Sequence, residues 1–194
     1  MTATQPPRMF VLPPVRPDFI FSVLRRNFKT VTNDTVAFVR SKLHPFAAAL
    51  DADPAGTWKP TAARHEVLLP ASMPDLLADP RLLTETFEAQ ARPDQTDLAI
   101  VVKLVLPTGC PIHVAWELAR QFTREAFVIE HRLPAVLVLH APAISGVRDA
   151  NPMHAHIIAL ARTWENAFTG FATIACDAAH APLAERWKAL RGDA

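Results

Sequence analysis

Two hydrophobic rhythms run along this chain, one of strand length and one of helical spacing. Residues 19–24 are rich in strand formers and stop at Arg25 and Arg26, which predicts a first strand. Asn33 or Asp34 then stands where a cap belongs, for a helix that runs to about residue 43 and ends at His44-Pro45. Residues 51–65 hold several breakers and read as a loop. They are followed by a strand over 64–70 and a helix over 80–91, whose Leu83, Phe87 and Ala91 recur every four residues. Residues 98–106 are almost continuously apolar apart from Lys103, the mark of a central strand. That lysine is free to reach a phosphate or to extend along its stem to solvent. Over residues 112–132, Ala115, Leu118, Ala119, Phe122, Ala126 and Ile129 fall on one helical face. Strands over 135–139, 154–160 and 168–176 follow, and a closing helix over 182–190 turns Leu183, Trp187 and Leu190 inward.

This order predicts an α+β fold, an antiparallel-dominated sheet with helices packed on one face. Pro6, Pro7, Pro13, Pro14 and Pro17 make residues 1–17 an extended arm, leaving 18–194 as one domain.

The chain has 194 residues, 50% hydrophobic and 20% charged, enough for one sizeable core. A net charge of +1 speaks against strong non-specific DNA binding, but the charge is unevenly spread. Residues 1–44 carry Arg8, Arg16, Arg25, Arg26, Lys29, Arg40 and Lys42 against only Asp18 and Asp34. Arg25, Arg26, Lys29 and Arg40 therefore form a candidate phosphate-tracking surface, with Phe28 and Trp58 as stacking platforms. An ordinary solvated face is the alternative. Cys110 and Cys176 are far apart, so no disulfide framework is expected and a reducing, cytoplasmic setting fits. No secretory signal and no membrane-length apolar run is read, so membrane insertion is not expected.

The candidate chemistry lies between residues 139 and 158. In an extended strand His154 and His156 point to the same side, and a hairpin return through Gly146 brings His140 beside them. Three imidazoles on two adjacent strands can hold a divalent metal (Mg, Mn or Zn) and leave positions open for a phosphate oxygen. The competing reading has the histidines satisfying backbone carbonyls. Arg148 and Arg162 flank the cluster as candidates for phosphate contacts, or for ion pairs with Asp149 or Glu165. Asp149 is a candidate acceptor for a ligating imidazole, and Asn151 for orienting a histidine or phosphate; turn formation explains both equally. His65 and Glu66 are read as surface residues, with proximity to the cluster as the alternative.

The pattern His140-Ala-Pro, Gly146, Arg148-Asp-Ala-Asn151-Pro152-Met-His154-Ala-His156-Ile-Ile-Ala-Leu-Ala-Arg162 resembles the three-histidine motif of the MobA/MobL relaxases, plasmid mobilisation enzymes of the HUH endonuclease class. The apolar strand around Lys103, the helix and the His140 strand follow the same family's order. The likeness spans roughly residues 20 to 190 and is sharp from about 97 to 162. It implies a ferredoxin-like HUH fold with the histidines central on the sheet and a nucleophile helix across it. It also implies a metal that polarises the scissile phosphate, single-stranded DNA as substrate, and relaxosome-type protein partners.

The resemblance further implies a tyrosine that attacks the phosphodiester, and this chain contains no tyrosine. The best counterpart of the tyrosine helix is the segment from Asn33 to Ser41, which puts Phe38 at the nucleophile position. A phenyl ring cannot form a phosphotyrosyl bond, and Ser41, Thr32 and Thr35 are poor substitutes because aliphatic hydroxyls need an activating base or metal. The readings that remain are a relaxase-like protein with nicking lost or altered, a non-catalytic regulatory or scaffold protein, and a phosphodiesterase using metal-bound water. A partner that supplies the nucleophile is a variant of the first.

Overall fold

The computed structural model describes residues 17–45, 58–107, 109–142 and 152–192. In chain order its elements are β1 (Phe19–Arg25), a short hairpin of β2 (Asn27–Phe28) and β3 (Val31–Thr32), helix α1 (Thr35–Leu43), β4 (Arg64–Leu68) and α2 (Pro80–Ala89). Then come β5 (Asp97–Val105), α3 (Ile112–Thr123), β6 (Ala135–His140), β7 (His154–Leu160), a small ribbon of β8 (Arg162–Trp164) and β9 (Phe168–Phe171), and α4 (His180–Arg191). Five strands form one antiparallel sheet in the order β1-β5-β7-β6-β4. Strands β5 and β6 run the same way with β7 between them, so α3 is the crossover that joins them.

Burial follows the pleat. Ile100, Val102 and Leu104 of β5, Leu137 and Leu139 of β6, and Ala155 and Ile157 of β7 pack with Trp116, Phe122 and Trp187 from α3 and α4. The intervening residues, Ala99, Val136, Val138 and Ile158, pack on the opposite side with Val39 and Leu43 of α1 and Leu83 and Phe87 of α2. Helices thus cover both faces, not one as the sequence reading had it. The reason is written in β6, where Ala135 through Leu139 are all fully buried and every residue needs an apolar neighbour.

Two further expectations change. Ile129, expected inside, is 61% exposed, because α3 continues as a π-helix over Arg124–Ile129. Its wider turn rotates Ile129 outward and buries Phe127 and Val128 in its place. The strand expected over 168–176 stops at Phe171 and pairs with β8 outside the main sheet.

Helix α1 is fixed from several directions. The Asp34 side chain caps it by accepting from Ala37 N–H at 2.7 Å. Glu88 of α2 accepts from the Thr35 backbone N–H at 2.6 Å and its hydroxyl at 2.8 Å, and pairs with Arg26 at 2.7 Å. A carboxylate at a helix N-terminus is favoured by the helix dipole, so Glu88 anchors the start of α1 to α2. At the other end the buried His44 ring bridges the carbonyls of Arg40 and Lys59 at 2.9 and 2.8 Å.

Candidate metal centre

Strand pairing assembles the histidines. His140 at the end of β6 sits directly opposite His154 at the start of β7, and His156 lies two residues along on the same face. His156 is itself flanked across the sheet by Val138 and by Lys103 of β5. This is the α1 side of the central strand. The three ring centroids are 4.9 to 5.1 Å apart, and one nitrogen from each ring lies within 4.8 Å of the others.

Hydrogen bonds fix how two of the rings present themselves. His140 Nε2 lies 2.7 Å from the Lys42 carbonyl oxygen, and His154 Nδ1 lies 2.8 Å from that of Pro152. A carbonyl only accepts, so both nitrogens are donors. In the neutral rings the other nitrogens, His140 Nδ1 and His154 Nε2, therefore both carry lone pairs. They face each other at 3.2 Å.

Two lone pairs so placed repel unless a cation or proton lies between them. Zinc–imidazole bonds of about 2.0–2.1 Å put neighbouring ligand nitrogens roughly 2.9–3.4 Å apart in tetrahedral or octahedral coordination, which brackets the observed spacing. His156 Nδ1 is buried without a hydrogen-bond partner among the described residues. Three imidazoles, two of them held in tautomers that aim lone pairs inward, fit a divalent cation.

Burial and the surrounding charges favour the neutral form of His140 and His156. Burial lowers the His140 pKa; its bond to the Lys42 carbonyl opposes this, while the Lys42 and Lys103 charges add to it. Burial, then His140, Lys42, His154 and Lys103, push His156 down to about 2. Lys42 is lowered too, first by burial and then by the charge of Lys103. Its ammonium group stands 5.0 Å from the centre of the Phe38 ring, one helical turn back on α1.

The remaining expected residues are distributed unevenly. Arg25 pairs with Asp97 at 3.6 Å, Arg26 is engaged by Glu88, and Lys29 lies in the β2–β3 turn beside the half-exposed Phe28. Arg25 stands at the Asp97 end of β5, whereas the histidines stand at the Val105 end. At about 3.4 Å per residue, that separates them by roughly 25 Å. Arg40 is partly buried on α1, and Trp58 packs against the α1-side core. Arg162 is corrected from a phosphate contact to an internal tie: it is buried and donates to the carbonyls of Gln90 and Phe168. Glu66 points to the α3 side and pairs with Arg120 at 2.8 Å, while His65 shares the histidine face one strand beyond Val138. Gly146, Arg148, Asp149 and Asn151 lie outside the described residues. Lys42 was counted only within the basic segment. Its place beside the cluster follows from α1 ending over His140, which spacing along the chain does not reveal.

No family model matches the chain, and no curated protein does. A solved structure concerning the molecular basis of vancomycin resistance transfer in Staphylococcus aureus is similar over 90% of each chain, with a TM-score of 0.67 and 15% identity. At that identity the likeness shows the fold alone, an α+β architecture built on a five-stranded antiparallel sheet. No described helix is long and apolar enough to cross a membrane.

Proposed function

We propose that this chain is a MobA/MobL relaxase-like protein of plasmid mobilisation. It holds one divalent cation on His140, His154 and His156 and engages single-stranded DNA, without tyrosine-dependent nicking. The observation that carries this reading is the convergence of the three imidazoles, with the lone pairs of His140 and His154 facing at 3.2 Å. A divalent cation bound there supplies a Lewis acid for a phosphate oxygen. The chain's own part is to present the ligands: the Lys42 and Pro152 carbonyls fix two tautomers, and burial favours the neutral form of His140 and His156.

What is missing is the attacking group. Phe38 lies on the helix that covers the site and has no hydroxyl, and the sequence contains no tyrosine elsewhere. The reading is therefore one of binding and positioning, in the cytoplasm and alongside relaxosome-type partners. The similarity in fold to a structure concerning resistance transfer supports the mobilisation part of that reading.

Fluorescence anisotropy with a labelled single-stranded oligonucleotide tests it. Binding is expected to strengthen with manganese and to lose that increment in a His154→Gln/His156→Gln variant. Equal binding with manganese, with chelator and in the variant contradicts the proposal. The Phe38→Tyr variant, which restores a phenol one turn from Lys42, is expected to form a protein–DNA adduct. No adduct, with metal and DNA both bound, means that position 38 is not the nucleophile's place or that more of the nicking apparatus has been lost.

A further inference from the structure

A metal centre built from three imidazoles brings no negative charge of its own, and here its charged neighbours among the described residues are positive. Lys103 lies beside His156 across the β5–β7 ladder, and the Lys42 carbonyl holds His140. The Lys42 ammonium group stands 5.0 Å from the centre of the Phe38 ring, on the helix whose last turn ends over His140. Among the described residues neither lysine forms an ion pair, although carboxylates elsewhere pair with Arg25, Arg26, Arg120 and Arg186. Both half-buried lysines thus lie on the side of the sheet that carries the histidines, with no described carboxylate partner.

We infer that Lys42 and Lys103 form a phosphate-anion subsite that couples cation binding at the histidines to anion binding, so that each ligand strengthens the other. The inference rests on the metal reading above and goes beyond it. Without an anion, a divalent cation entering the cluster adds two positive charges beside two existing ones in a partly desolvated place, which weakens its binding. A phosphate group held by the lysines reverses the sign of that interaction. By linkage, the factor by which the anion tightens the metal equals the factor by which the metal tightens the anion. The phosphate anion can come from a DNA backbone or from free phosphate, and the two are separable by experiment.

The test uses isothermal titration of the full chain with manganese, alone, with a thymidine dinucleotide phosphodiester, with its uncharged methylphosphonate analogue, and with inorganic phosphate. Coupling energies of the usual size correspond to a roughly 5- to 150-fold gain in manganese affinity with the phosphodiester. The methylphosphonate is expected to give no gain. A gain with the dinucleotide larger than that with inorganic phosphate assigns the subsite to a nucleic-acid backbone; the reverse assigns it to the free anion. In Lys42→Met/Lys103→Met, manganese alone is expected to bind more tightly than in the parent chain, and the gain from the dinucleotide to vanish. Lys103→Met alone, which leaves α1 untouched, is expected to lose part of the gain and guards against a folding defect in the double variant. Manganese binding that is the same with and without either anion overturns the coupling and leaves the metal reading standing. No manganese binding under any condition overturns both.

Discussion

His140 Nδ1 and His154 Nε2 face each other at 3.2 Å across adjacent strands, while the second nitrogen of each ring is committed to a backbone carbonyl. The arrangement fixes the tautomers before any ligand arrives. In metal-free protein at neutral pH, nitrogen-15 NMR of the imidazoles is expected to show His140 protonated on Nε2 and His154 on Nδ1. Adding zinc should shift His140 Nδ1 and His154 Nε2 and leave their partners in place. The opposite tautomer at either residue contradicts the site as described.

Acid should destabilise the metal-free protein through the same rings. His156 is held at about 2 against an ordinary 6.5, so the folded state refuses a proton that the unfolded chain accepts. Its contribution is fully present above about pH 6.5 and is lost as pH falls from there towards 2, at about 1.4 kcal/mol per pH unit for one such group. His140, lowered in the same direction, adds to the loss just below 6.5. Urea midpoints measured in chelator at pH 7 and pH 5 are expected to fall less in His156→Gln than in the parent chain. An equal fall in both assigns the acid sensitivity to other groups.

Arg162 provides a prediction about stability instead of binding. Its buried guanidinium donates to Gln90 and Phe168, tying the β8–β9 ribbon to the end of α2. Arg162→Met leaves those carbonyls without their donor and should cost roughly 2–4 kcal/mol in urea unfolding. DNA affinity measured well below the melting temperature is expected to stay within twofold of the parent. A selective loss of DNA binding with unchanged stability would return Arg162 to the nucleic-acid surface.

Nucleophile chemistry gives a fourth handle. With no tyrosine in the chain, incubation with labelled single-stranded oligonucleotide and manganese is expected to leave no covalent protein–DNA adduct on a denaturing gel. An adduct mapped to Ser41, Thr32 or Thr35 would show that an aliphatic hydroxyl has taken the role.

Much of this architecture was legible because the rhythms of strand and helix are strong and well punctuated. The strands at 19–25, 97–105 and 135–140 and the helix ended by His44 lie within a residue or two of where the pattern placed them. The same-face placement of His154 and His156 needed only the period of two in a strand. Other features depend on tertiary relations that no local pattern carries. The two-sided covering of the sheet is implicit in the unbroken apolar run of β6, yet which helices lie on which face follows from the crossover between β5 and β6. The π-turn that exposes Ile129 leaves no compositional mark. The separation of Arg25 from the histidines is a matter of register: both neighbour β5, but at opposite ends of it. Charge totals along residues 1–44 therefore grouped Arg25 and Lys42, which the fold places far apart.

The central claim is that His140, His154 and His156 together bind one divalent cation. Elemental analysis of purified chain, equilibrated with manganese or zinc and freed of excess by gel filtration, tests this most directly. One equivalent of metal per chain is expected, and less than a tenth of that in a folded His154→Gln/His156→Gln variant, by the usual severity of losing two of three ligands. No stoichiometric metal in the parent chain, or the same amount in the variant, would contradict it.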